Sequence, residues 1–164
     1  MLSLFKKGDQ KRIYLATDHA GFDMKEEIKS FLKVEFEDFD IVDCGAYALD
    51  SSDDYPDFIS KAAKAVSKSK GADFAIILGG SGQGEAICAN KFRHVRAAVV
   101  NSENKELVKL ARKHNNANVL SFGARFVSLE FAKEAVKIFL NTNFDTQSRH
   151  KRRIDKILKK CRYV

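Results

Sequence analysis

Residues 73–91, DFAIILGGSGQGEAICANK, decide how the rest of the chain is read. The run Phe74-Ala75-Ile76-Ile77-Leu78 has the length and near-continuous apolar character of a strand covered on both faces. Gly79, Gly80, Gly82 and Gly84 then fill four of six positions, and Glu85 stands where a helix begins. Strand, glycine turn and helix in direct succession are the half-unit of a parallel α/β sheet. The glycines run G-G-x-G-x-G, so this is not the G-x-G-x-x-G dinucleotide fingerprint, and no Gly-Lys-Ser/Thr follows to make a P-loop. Such a turn still crowds backbone N–H groups around the positive end of a helix, where a phosphate or a developing oxyanion is favoured. The bland reading is a tight turn that only packs. Glu85 likewise has a bland reading, an acid favoured in a first helical turn. Beside an anion cradle it has a second one, a base that removes a proton next to a carbonyl while the N–H groups hold the enediolate oxygen.

The same alternation continues on both sides. Strands are expected at 12–17, 39–44, 95–100 and 118–123 beside 73–79, and helices at 22–34, 56–68, 84–92, 103–115 and 128–141, with a last helix over about 147–161. Pro56, the only proline, suits a first helical turn, and Ser128 suits an N-cap. Phe22, Ile28, Phe31 and Leu32 form the apolar stripe of the first helix, with Lys and Glu elsewhere. Five strand-then-helix repeats predict an α/β fold: a Rossmann-like αβα sandwich with a five-stranded parallel sheet, right-handed crossovers and a C-terminal helical extension. Ligands of such sheets bind beyond the carboxyl ends of the strands. Those ends carry residues 17–21, 44–47, 79–85, 101–102 and 123–125, where small, polar and ionisable side chains gather.

The 164 residues are 45% hydrophobic and 31% charged, enough for a core with a well-solvated surface. No window is apolar over the ~18 residues that a membrane span needs, and MLSLFKKGDQKR lacks an apolar stretch fit for a signal peptide; a cytoplasmic protein is expected. Cys44, Cys88 and Cys161 are far apart and odd in number, which reads as reduced thiols rather than a disulfide framework or a zinc site. Much of the net charge of +7 lies in RHKRRIDKILKKCRYV. A basic tail can bind nucleic acid, grip a small phosphate, or form a solvated helix face; it lacks the interleaved aromatics of an RNA module.

Three further constellations stand against plain alternatives. Asp18-His19 lies at a strand's carboxyl end before Gly21, either as a ligand contact or as a surface pair. His114-Asn115-Asn116 closes a helix, where histidine suits the dipole and asparagine a left-handed cap, or where a proton donor has an amide beside it. Arg149 and Arg153 are four apart on one helical face and, with Arg125 after the fifth strand, could hold phosphate oxygens bidentately.

Taken in order, TDHAGF (17–22), DYPD (54–57), GGSGQGEAICANK (79–91), RKHNNANVLSFGAR (112–125) and SRHKRRIDKI (148–157) resemble the ribose-5-phosphate isomerase B family, which also includes subunits of galactose-6-phosphate isomerase. Singly these pieces are weak; five in collinear order from about residue 12 to residue 157 are specific. The resemblance implies interconversion of ribose 5-phosphate and ribulose 5-phosphate through a cis-enediolate, without metal or cofactor, in homodimers or tetramers. One branch of the family has a cysteine base where Gly79 stands here, and the other has glycine there and a glutamate at the end of the loop. By that similarity Glu85 is the base, Gly80, Ser81, Gly82, Gln83 and Gly84 hold the enediolate oxygen, and His114 opens the sugar ring with Asn115 on a sugar oxygen. Asp18 and His19 contact substrate, and Arg125, Arg149 and Arg153 grip the phosphate, the last two reaching across from the partner subunit. Whether the cradle lowers the pKa of Glu85 or burial raises it is open at this level.

Residues 1–10 are expected to form a flexible segment, and the resemblance further implies one sugar-phosphate isomerase domain over 11–164, whose basic helix at about 147–161 serves the neighbouring subunit. Its partners would be a small sugar phosphate and its own second copy, not nucleic acid or membrane. Residues 101–116 are about two longer than the family pattern before His114, and NFDTQSRH (143–150) lacks the paired glycines many relatives carry before the arginine. These departures bear on the choice of sugar, leaving a hexose phosphate such as allose or galactose 6-phosphate as the alternative, and a basic nucleic-acid-binding module as the third reading.

Overall fold

The structure is a computed structural model that describes residues 10–147 and 149–161. The expected flexible segment 1–10 falls almost wholly outside them, as do Ser148 and the last three residues. Five strands, β1 (Arg12–Thr17), β2 (Asp40–Asp43), β3 (Phe74–Gly79), β4 (Ala97–Val100) and β5 (Val119–Gly123), form one sheet in the order β2-β1-β3-β5-β4, parallel throughout. Helices α1 (Phe22–Glu35), α2 (Pro56–Lys68), α3 (Gln83–Ala89), α4 (Lys105–Asn115) and α5 (Leu129–Asn141) connect or follow the strands, and α6 (Arg149–Lys160) ends the fold.

The period of two along each strand sorts the core into two layers. Ile13, Leu15, Ile76, Leu78, Leu120 and Phe122 face one side, against Ile28 and Leu32 of α1, Val108 of α4 and Phe131, Val136 and Phe139 of α5. Tyr14, Ala16, Ala75, Ile77 and Val119 face the other, against Ile59, Ala62, Ala63 and Val66 of α2 and Ala89 of α3. Each fully buried Leu or Ile contributes about 1.5–3 kcal/mol, so this two-sided burial fixes the central strand β3 between its neighbours. The expected αβα sandwich and its helical extension are both present.

Some boundaries move for local reasons. Helix α4 begins at Lys105, not 103, because the Asn104 side chain accepts from the N–H groups of Glu106 (3.1 Å) and Leu107 (3.3 Å) and caps it. Glu103 is drawn away instead, accepting from the Ser128 N–H at 2.7 Å. Helix α3 stops at Ala89, where the Asn90 amide turns to pair with both the N–H (2.8 Å) and the carbonyl (3.0 Å) of Ala97. Pro56 opens α2, and the Ser128 hydroxyl caps α5 by accepting from Phe131 N–H, as the sequence predicts.

One residue outside the apolar stripe of α1 is buried as well. Lys25 is 0% exposed. Its ammonium donates to both oxygens of Asp43 (2.8 and 2.9 Å) and to the Ala46 carbonyl (2.8 Å). A buried ammonium is tolerated only when its donors are filled, and these acceptors come from the end of β2 and the loop after it. That loop is stitched to β1, Thr17 N–H donating to the Gly45 carbonyl and Ala46 N–H to the Thr17 carbonyl, each at 2.8 Å. The buried cation therefore sets the wall beside the carboxyl end of β1.

Candidate functional site

In the strand order, β1 and β3 are neighbours whose connections leave in opposite directions, the switch point at which open α/β sheets form a crevice. Register aligns Thr17 with Leu78 and Gly79 with Gly123, so the loops after β1, β3 and β5 emerge side by side. Asp18, His19, residues 80–85 and Arg125 are brought together here.

The glycine turn is built by close approach. Gly82 has φ +75°, and a side-chain carbon on it would come within 2.7–2.9 Å of the Ser121 carbonyl oxygen and the backbone of Phe122 and Gly123. Its carbonyl accepts from the Ser121 hydroxyl at 2.6 Å, pinning the turn to β5. Gly79 answers a different need. A side-chain carbon there would lie 1.9 Å from Glu85 Oε1, so the Glu85 carboxylate occupies the volume that a residue-79 side chain would fill. The bland packing reading of the glycines is thus correct as far as it goes, and what is packed over Gly79 is the carboxylate itself.

Glu85 is only 4% exposed. Burial pushes its pKa up; its own N–H hydrogen bond opposes this, and the nearby charge of Asp18 pushes in the same upward direction. Desolvation is the largest of these influences, so the pKa of the carboxylate sits above its ordinary range. The first N–H groups of a helix have no intrahelical acceptors, and Gln83 N–H finds the Ser81 hydroxyl at 3.3 Å. The Arg125 guanidinium lies against Gly80, with Nη1 3.1 Å from where a side-chain carbon would stand, and Arg125 N–H donates to the Gly80 carbonyl at 3.2 Å. Asp18 is buried and caps the single 3-10 turn His19–Gly21 by accepting from Ala20 N–H at 3.0 Å.

His114, Asn115, Arg149 and Arg153 do not join this group within the chain. A helix that leaves the carboxyl end of β4 and delivers the chain to β5 must finish at the opposite, amino end of the sheet, and α4 ends with His114-Asn115. With β3 six residues long, the two ends are roughly 20 Å apart. Asn116 takes φ +47° as the helix cap, its backbone and side-chain oxygens held by Arg96 Nε (2.7 Å) and Arg112 Nη1 (2.8 Å). Helix α6 packs on this same end, and the His150 ring stacks on His114 with centroids 4.0 Å apart and planes 10° from parallel. Burial pushes the pKa of His150 down, as do His114, Arg149 and Arg153. Arg149 and Arg153 are exposed. None of α6 is buried: Ile157 remains 55% exposed beside a cavity of about 700 Å³ that Phe92, Val95, Ile154 and Leu158 also line.

Two residues escaped the sequence reading. Tyr55 lays its ring over Gly84, within 2.8 Å of where a side-chain carbon would be. Asp53 accepts from both the backbone N–H (3.0 Å) and ring Nδ1 (2.7 Å) of His19. Tyr55 lies inside the DYPD segment, a signal that could have found it; Asp53 lies 34 residues from His19 and has none.

A buried carboxylate seated at the mouth of a glycine turn, at the switch point of a parallel αβα sandwich, defines a sheet-end site for an anionic or carbonyl-bearing small molecule. Comparison with known proteins gives that class a family. The sequence profile of the ribose/galactose isomerase family matches residues 13–157, and the chain belongs to that family. It is 42% identical over 147 residues to a probable ribose-5-phosphate isomerase B of Mycoplasma genitalium, covering 90% of this chain and 93% of the relative. It is 41% identical to ribose-5-phosphate isomerase B of Mycolicibacterium paratuberculosis, covering 88% and 87%. The crystal structure of the Mycoplasma genitalium enzyme with bound ribulose-5-phosphate superposes with a TM-score of 0.84 over 90% of this chain and 94% of that one.

Proposed function

We propose that the protein is an aldose–ketose isomerase that interconverts ribose 5-phosphate and ribulose 5-phosphate, with Glu85 as the base. The observation that carries this reading is the Glu85 carboxylate, buried over Gly79 at the mouth of the glycine turn. In the open-chain aldose, Glu85 removes the proton from C2, electrons move onto the carbonyl oxygen, and the N–H groups of residues 80–84 meet the oxygen that becomes negative. Return of the proton to C1, with transfer of the hydroxyl proton between the two oxygens, gives the ketose. A base with a raised pKa suits the abstraction step, since it binds the proton more strongly, and the enediolate carbon is still basic enough to take the proton back.

The remaining roles are proposed on the family resemblance. His114 opens the ring as an acid with Asn115 on a sugar oxygen, Asp18 and His19 contact the sugar, and Arg125, Arg149 and Arg153 hold the phosphate. Because His114, Asn115, Arg149 and Arg153 lie at the far end of the same sheet, they serve the cradle of a second copy; the exposed apolar residues of α6 suit that contact. The basic helix then belongs to a homodimer's shared sites, not to nucleic acid. Cytoplasmic residence agrees with Cys44, Cys88 and Cys161 being free thiols, and no helix of the described residues is long and apolar enough to cross a membrane.

The test is a coupled assay of ribulose 5-phosphate formation. Turnover of ribose 5-phosphate is the expected result. Turnover of allose or galactose 6-phosphate with ribose 5-phosphate left unchanged would move the function to a hexose phosphate, and inertness toward all three with salt-resistant RNA or DNA binding would overturn it.

A further inference from the structure

We propose that Asp53 is a positioning residue that fixes the His19 ring in one tautomer and turns its Nε2 toward the substrate; this rests on the reading of the carboxyl-end crevice as a sugar-phosphate site. The geometry is a clamp on one residue. A single oxygen, Asp53 Oδ1, accepts from the His19 backbone N–H at 3.0 Å and from ring Nδ1 at 2.7 Å. The backbone of His19 is held independently, since it opens the 3-10 turn that Asp18 caps. An imidazole has two nitrogens, and once Nδ1 is committed as donor to a carboxylate, Nε2 is the atom left for a ligand. It accepts from a sugar hydroxyl when the ring is neutral and donates to a phosphate or alkoxide oxygen when it is charged.

The Asp53 carboxylate is itself presented deliberately. Its side chain is 9% exposed, and its second oxygen, Oδ2, is buried without a hydrogen-bond partner among the described residues. Behind it a turn is closed by Asp53 N–H donating to the Asp50 carbonyl at 3.1 Å, while the Asp50 side chain accepts from Ser52 N–H (2.9 Å) and hydroxyl (2.6 Å). Asp53 spends one oxygen twice on the same histidine. The charges around the ring are Asp53 and Asp18, which favour the imidazolium, and Arg125, which opposes it; the hydrogen bond to Asp53 leads, and the His19 pKa is raised.

The experiment measures ¹⁵N–¹H correlations of the histidine ring in ligand-free protein, and ribose 5-phosphate kinetics, for wild type, Asp53→Ala and Asp53→Asn. In wild type, His19 is expected as the Nδ1–H tautomer. Asp53→Ala should release it to the Nε2–H form, lower the pH at which the ring titrates, and raise KM about 10-fold, the low end for loss of a partner that orients a functional imidazole. Asp53→Asn retains a carbonyl acceptor, so it should keep the tautomer and recover most of KM while still titrating at lower pH. That recovery separates orientation from charge, and it serves if Asp53→Ala fails to fold. An unchanged tautomer in Asp53→Ala, or wild-type KM in both variants, overturns the proposal. A wild-type protein inert toward sugar phosphates would instead refute the functional reading, and the ring spectra would still report on the clamp.

Discussion

The two ends of this sheet are built differently. At the carboxyl end, Glu85 and Asp18 are buried, the glycine turn is pinned to β5, and the adjoining loop is anchored by the fully buried Lys25. At the amino end, His114 stacks on His150 of a helix that buries none of its own residues, and Arg149 and Arg153 stand in solvent. The first region is a set of buried groups held by the fold itself. The second is a set of groups held out on helix ends and open to solvent. Preorganised electrostatics belong where charge develops, while exposed arginines suffice to grip a phosphate brought to them.

The widest separation between the two regions should come from Glu85→Gln, which keeps the volume of the side chain and removes its basicity. It is expected to cut kcat by about 10²–10⁴-fold, with ribose 5-phosphate binding retained by calorimetry. Unchanged turnover would shift the chemistry away from the carboxyl end. Next is Gly79→Ala. Its added carbon would meet the Glu85 carboxylate at 1.9 Å, so the carboxylate must move, and a displacement near 1 Å costs up to about 100-fold in kcat. A variant that stays fully active would show the seat over Gly79 to be dispensable.

A smaller number tests whether the ends cooperate across two copies. A heterodimer of one Glu85→Gln chain and one Arg149→Ala chain has one site with both lesions and one with neither. It should show about half the wild-type rate, where a within-chain site would leave only the weakened Arg149→Ala activity. The finest test concerns acid. The Glu85 pKa is raised, by burial first and by Asp18 as well, so its base form is lost as pH falls through a value above the ordinary glutamate range. Asp18→Asn removes the like charge and should shift the acid limb of kcat to lower pH. The same group contributes stability below its unfolded pKa that is lost as pH rises through its folded pKa, so Glu85→Gln should flatten the denaturation midpoint across that window.

The carboxyl end was largely legible from residues. An apolar run, a glycine turn and an acid at a helix start are local signals, and parallel-sheet topology says where they must meet. The amino end was legible as motifs but not as a place: His114 and Arg149 are 35 positions apart, and only the direction of α4 through the layers reveals that they share an end opposite Glu85. The burial of Lys25 was not legible, because helical periodicity cannot foresee Asp43 and the Ala46 carbonyl arriving from the end of β2 and the loop after it. Asp53 was missed because a hydrogen bond between two loops leaves no period and no spacing.

The seat of Glu85 above Gly79 couples two positions that are six residues apart in the chain. A side chain at either one reaches the same point in space, and both cannot be there together. A larger side chain at position 79 therefore demands a shorter one at position 85, so a variant that keeps this packing must change the two together.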